Sequence, residues 1–270
     1  MERGKGEMAY VQVNFYAEKL KRNVTFSALI PNDVPKAFRG EQFNMPMKTL
    51  YLLPGYSGNY HDWMINAALQ DLSNAYHLAI ISVAGENSFY LDHKAEGFSY
   101  GAYVGEELVA YTRELFGLSD KREDTYIGGF SMGGFGAIRN GLKYHETFSK
   151  VVALSSALIT REVSKMQPGS HNGMANYEYY EMVFGETAHV LETENDPEYL
   201  VKMLMEKGEQ LPEIYMACGS EDFLIEPNRA FANFLKEQKA PAVYEEAPGV
   251  HDWNFWKPYI ERGIKWIMEK

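Results

Sequence analysis

The pentapeptide Gly129-Phe130-Ser131-Met132-Gly133 has the form G-x-S-x-G. It lies between an apolar run, TYIGGF at 125–130, and a glycine-rich helical run, MGGFGAIRNGLKY at 132–144. A serine on a sharp strand-to-helix turn sits on a strained backbone with its hydroxyl presented outward, the placement that nucleophilic acyl transfer needs. Side chains at 129 and 133 would collide where strand and helix pack closely. The following helix turns its positive end toward the serine and favours negative charge developing there. The same pattern recurs at Gly97-Phe98-Ser99-Tyr100-Gly101, but DHKAE at 92–96 is too polar to be the buried strand before it. Ser99 therefore reads as a helix cap.

A serine hydroxyl is a poor nucleophile at neutral pH and needs a base in contact. Of seven histidines, His251 alone follows a strand-like run and precedes a helical one, in Pro248-Gly249-Val250-His251-Asp252-Trp253. Sites in α/β proteins gather at such strand ends. His171 is the weaker rival. The imidazole needs an acceptor to fix its tautomer, and Asp222, after the run EIYMAC, gives the chain order Ser, Asp, His. Asp252 is too close in sequence to His251 to reach the far ring nitrogen, and the neighbouring Glu221 is expected to point elsewhere. A tetrahedral intermediate needs two backbone donors. Met132 supplies one. The other comes from Pro54-Gly55-Tyr56-Ser57-Gly58, with Tyr56 the first choice and Ser57 the second.

These residues must be held by a sheet. Runs at 9–15 and 24–30 alternate like strands, with no helix between them, and predict an antiparallel edge. Apolar runs at 49–53, 77–83, 125–130, 151–154, 213–218 and 242–245 then alternate with helical segments at 100–116, 132–144, 227–238 and 253–268. The pattern predicts a mostly parallel twisted sheet with helices on both faces. Val104, Leu108, Tyr111 and Leu115 are spaced as one face of the helix at 100–116. A long polar stretch, 159–210, interrupts the alternation and reads as a small helical cap inserted into one domain of 1–270.

Composition narrows the partners. The chain has 270 residues, 46% apolar and 23% charged, which suits one large α/β domain with a real core. A formal net charge of -11 disfavours nucleic acid and anionic membrane surfaces. The single cysteine, Cys218, excludes an internal disulfide and reads as a buried strand residue. No apolar leader is visible in MERGKGEMAYVQVNF and no run is long enough to span a bilayer, so the expected compartment is cytoplasmic.

With these residues in place, the chain resembles the esterase D branch of the α/β-hydrolases. It is similar to bacterial tributyrin esterases and their acetyl-esterase and feruloyl-esterase relatives. LLPGYSGNYHDW, NSFYLD, YIGGFSMGGFGA, CGSEDFL and GVHDWNFW carry the resemblance over most of the chain. It implies the α/β-hydrolase fold, the triad Ser131, Asp222 and His251, and Tyr56 and Met132 as oxyanion donors. Where many relatives have His-Gly in the oxyanion loop, this chain has Pro54-Gly55. It also lacks the cysteine that S-formylglutathione hydrolase relatives carry there, which points away from a glutathione thioester.

The expected reaction is hydrolysis of short acyl esters through an acyl-serine, with no metal or organic cofactor. The partner is a small-molecule or oligosaccharide ester, first an acetyl ester of a plant sugar and second a feruloyl ester. Trp63 and Tyr90, with Met174 and Tyr177 from the cap and Ser57 from the oxyanion loop, are expected to line the pocket. An acyltransferase using the same triad and a catalytically dead binding module are the rival readings. Aromatic richness and the habit of the family are compatible with a homo-oligomer.

Overall fold

A computed structural model describes residues 9–268, and the leaderless reading of the first eight residues lies outside them. The eight strands are β1 (Ala9–Ala17), β2 (Arg22–Ile30), β3 (Lys48–Leu53), β4 (Leu78–Val83), β5 (Thr125–Phe130), β6 (Lys150–Leu154), β7 (Glu213–Gly219) and β8 (Ala242–Ala247). They form one sheet in the order β1-β2-β4-β3-β5-β6-β7-β8. β2 runs antiparallel to both β1 and β4, and every other pairing is parallel. The opening pair thus makes the expected antiparallel edge.

Period-two alternation divides the sheet between two cores. Tyr51, Leu53, Ala79, Ile81, Ile127, Val151 and Met216 face one layer. Leu50, Leu52, Leu78, Ile80, Tyr126, Val152 and Tyr215 face the other. Both faces are covered, so the central strands read as continuous apolar runs.

The helices are α1 (Asp62–Asn66), α2 (Leu69–Tyr76), α3 (Tyr100–Ala102), α4 (Leu108–Phe116), α5 (Met132–Lys143), α6 (Thr160–Val163), α7 (Tyr177–Phe184), α8 (Pro197–Lys207), α9 (Ile225–Glu237) and α10 (Trp253–Met268). α5 packs on β5 and β6, and α10 packs on β6 and β7 from the opposite layer. The segment 159–210 holds α6, α7 and α8; of these, α8 packs on α5 beside the sheet.

Two local expectations are corrected. The helix over 100–116 is interrupted by a π-helical turn at Tyr103–Glu107 between α3 and α4. That wide turn shifts the buried face. Val104 and Leu108 are buried as expected, but Val109 and Thr112 join them while Leu115 is left 47% exposed. Ser99 sits at the cap position of α3 without a side-chain capping bond. Asp92 does the work instead, its Oδ1 accepting from the Ala102 amide at 2.9 Å. Cys218 is fully buried on β7 as expected, and burial pushes its thiol up to about 12.

Candidate active site

The turn between β5 and α5 forces Ser131 to φ 55°, ψ -122°. Only close packing makes that conformation unavoidable. A Cβ on Gly133 would stand 2.0 Å from the Leu53 carbonyl oxygen, and one on Gly129 2.3 Å from that of Gly133. Strand, turn and helix can approach this closely only without side chains at those two positions. The turn is also pinned by hydrogen bonds. The Ser131 amide donates to the Leu154 carbonyl at 2.9 Å, and its own carbonyl accepts from Ala157 at 2.9 Å.

Three loops at the carboxyl ends of the strands converge there. His251 Nε2 lies 2.9 Å from Ser131 Oγ. His251 Nδ1 lies 2.8 Å and 3.0 Å from the two carboxylate oxygens of Asp222. With its proton on Nδ1, the ring donates to Asp222 and can accept from the serine hydroxyl. Asp222 is 2% exposed and also accepts from the Leu224 amide at 2.9 Å. Burial pushes its carboxyl up, but the bonds from His251, Leu224 and Ser155 outweigh that and hold it below the usual carboxylate range.

The neighbouring acids have other tasks. Asp252 caps α10, accepting from the amides of Asn254 and Phe255 at 2.9 and 3.2 Å. Glu221 accepts from the Gly249 amide at 2.6 Å, which fastens the loop carrying His251. The rival His171 takes the Gly173 amide at 2.9 Å in a turn before α7 and does not line the cavity beside Ser131.

The loop after β3 runs against the serine, since a Cβ on Gly55 would lie 3.2 Å from Ser131 Cβ. The Ser57 amide is already given to Asn87 Oδ1 at 2.7 Å. Among the described residues the amides of Tyr56 and Met132 have no such acceptor, which leaves both able to donate to a ligand. Asn87 in turn accepts at its carbonyl from the Tyr179 hydroxyl of α7. Tyr90 is fully buried and donates to the Pro54 carbonyl at 2.9 Å. Glu86, Asn87, Phe89 and Tyr90 all have positive φ, so this brace is a locally strained loop.

A cavity of about 350 Å³ opens beside Ser131, walled by Tyr56, Phe89, Met132, Ile159, Met174 and Phe223, with Glu162, Asn172 and Tyr180 as polar members. Of the expected pocket residues Met174 lines it, and Tyr56, named above as an oxyanion donor, does so too. Trp63, Tyr90, Ser57 and Tyr177 do not line it. Trp63 is fully buried edge-on to Phe130 and Trp253. Tyr177 bonds Glu181 one turn along its own helix.

Besides the polar cavity residues Glu162, Asn172 and Tyr180, the sequence reading missed residues around the triad. Phe223 stands 4.6 Å from the imidazole, and Trp256 meets that ring edge-on at 4.9 Å. The Trp256 indole donates to Ser155 Oγ at 3.1 Å, and that hydroxyl bonds Asp222. Phe89 and Asn87 complete the group. The strand-end positions of Phe223 and Ser155 were the usable signal; nothing in the spacing marked Trp256 or Asn87.

Comparisons with known proteins place the chain among esterases. The model of the family described as Putative esterase matches residues 17–267. An acetyl esterase of Caldicellulosiruptor saccharolyticus is 45% identical over 97% of this chain and 99% of its own. FphF, a fluorophosphonate-binding serine hydrolase of Staphylococcus aureus, superposes with a TM-score of 0.85 at 30% identity, covering 98% of this chain and all of the other. An S-formylglutathione hydrolase of the same organism gives 0.81 at 29% identity, covering 97% of this chain and 99% of the other. The chain belongs to this esterase family and is a carboxylic ester hydrolase of the α/β-hydrolase fold.

Proposed function

We propose that the protein is a serine esterase that removes short acyl groups, first of all acetyl, from the hydroxyl groups of plant-derived sugars. The observation that carries this reading is the Ser131–His251–Asp222 chain of contacts, built on a strained serine turn. His251 takes the hydroxyl proton as Ser131 Oγ bonds to the ester carbonyl carbon. The carbonyl oxygen becomes an oxyanion facing the amides of Tyr56 and Met132. Collapse breaks the bond to the alcohol, which leaves with the proton from His251. Water then adds to the acyl-serine by the same steps and releases the acid. The 45% identical acetyl esterase supports the acyl preference.

The test has two parts. Ser131→Ala is expected to keep its fold by circular dichroism and lose at least about 10⁴-fold in kcat. It should also lose stoichiometric labelling by a fluorophosphonate. A panel of nitrophenyl esters from two to eight carbons, run beside methyl ferulate, should peak at the two-carbon ester. Preference for methyl ferulate would replace the acetyl reading with a feruloyl one.

A further inference from the structure

Resting on that reading, we propose that Glu162 is the specificity residue of the pocket and selects neutral, hydroxyl-bearing esters over anionic ones. The cavity beside Ser131, at about 350 Å³, is far larger than an acetyl group needs and falls in the range that holds a whole small ligand. With an acetyl ester on Ser131, the remaining space receives the alcohol. Most of its wall is apolar, so the few polar groups must decide orientation.

Those groups form a set whose capacity can be followed atom by atom. Asn172 Nδ2 donates to Glu162 Oε1 at 2.9 Å and to the Tyr180 hydroxyl at 3.0 Å. Asn172 Oδ1 accepts from the amides of Met174 and Ala175, each at 3.1 Å, and from the Tyr180 hydroxyl at 3.3 Å. Asn172 and Tyr180 are therefore consumed by one another and by the cap turn. Among the described residues Glu162 Oε2 has no hydrogen-bond partner, and Glu162 lines the cavity. The cap thus holds a carboxylate by one oxygen and presents the other, an acceptor for a substrate hydroxyl.

Charge around it points the same way. Glu162 also borders a second cavity of about 280 Å³, whose wall carries Asp196, Glu198 and Glu226 against a single cation, Arg161. Arg161 is already paired with Glu198 at 2.7 Å and Glu226 with Arg229 at 2.6 Å, so among the described residues Glu162 and Asp196 are the carboxylates of this wall without an ion-pair partner. The excess of carboxylates repels an anionic alcohol or thiol from this side of the pocket while leaving a neutral sugar unaffected.

Three esters of similar size separate the possibilities: a monoacetylated methyl xylopyranoside, cyclohexyl acetate, and an acetylated methyl glucuronoside carrying its carboxylate. In Glu162→Ala the ratio of kcat/KM for the xyloside over cyclohexyl acetate is expected to fall about tenfold or more, because one charge-assisted hydrogen bond is lost. Glu162→Gln keeps a carbonyl acceptor, so its ratio should stay nearer the wild-type value. Both variants remove the charge, and both should raise turnover of the glucuronoside relative to the xyloside. Unchanged ratios, or an equal fall on all three esters, would overturn the assignment to Glu162. Failure of the underlying reading is separate: it appears as turnover that persists in Ser131→Ala.

Discussion

At the scale of single residues, reactivity depends on groups whose ordinary chemistry has been moved. Ser131 is moved by conformation, held at positive φ where a non-glycine residue seldom sits. Asp222 is moved by its bonds, which keep it ionised below the usual carboxylate range despite near-complete burial. A carboxyl whose native pKa is depressed contributes stability above the unfolded value of about 4. That contribution is lost as pH falls through the native value. The urea-unfolding free-energy gap between wild type and Asp222→Asn should therefore narrow as pH falls below about 4. A gap that stays constant down to pH 2 would contradict an Asp222 carboxyl held low by these bonds.

At the scale of elements, the site depends on how closely neighbouring pieces of backbone approach. Gly133 lies inside α5, where alanine would ordinarily gain about 1 kcal/mol by propensity. Here its Cβ would overlap the backbone of β3, which cannot swing aside as a side chain can. Overpacking wins, and Gly133→Ala should destabilise by about 2–3 kcal/mol, read as a lower urea midpoint at unchanged m-value. The loop with Asn87 acts by bonding. It ties α7, through the Tyr179 hydroxyl, to the amide of Ser57 in the loop after β3. With Tyr56 and Met132 as the proposed oxyanion donors, Asn87→Ala should lower kcat about tenfold or more with little change in KM, because the loop that carries Tyr56 is displaced. Asn87→Asp keeps the acceptor and should restore most of kcat. An equal loss in both variants would mean that the loop matters only for folding. The π-helical turn between α3 and α4 shows the limit of reading such elements from periodicity. A 3.6-residue stripe correctly marks Val104 and Leu108, but one wide turn moves the buried face before it reaches Leu115.

At the scale of the whole molecule, a net charge of -11 sets how ligands arrive. Steering by such a field weakens as salt shortens the Debye length from about 30 Å at 0.01 M to about 8 Å at 0.15 M. Over that range kcat/KM for an anionic acetyl ester should rise several-fold, while the value for a neutral sugar acetate stays nearly constant. Parallel salt dependence of the two would rule out electrostatic exclusion. The amino-acid sequence alone determined the sheet, the antiparallel edge, the serine turn and the order of its partners. Those features rest on local patterns: alternating apolar runs, glycines flanking Ser131, and polar residues stationed at strand ends. Only the tertiary structure decided the distances that join residues 131, 222 and 251. It also turned Trp63 and Tyr90 into supports rather than walls, and put Phe223, Phe89 and Glu162 around the cavity in company with Met174. The reason is that a pocket's surface is made by side chains from loops distant in sequence, whose directions follow from long-range packing. No local period encodes them.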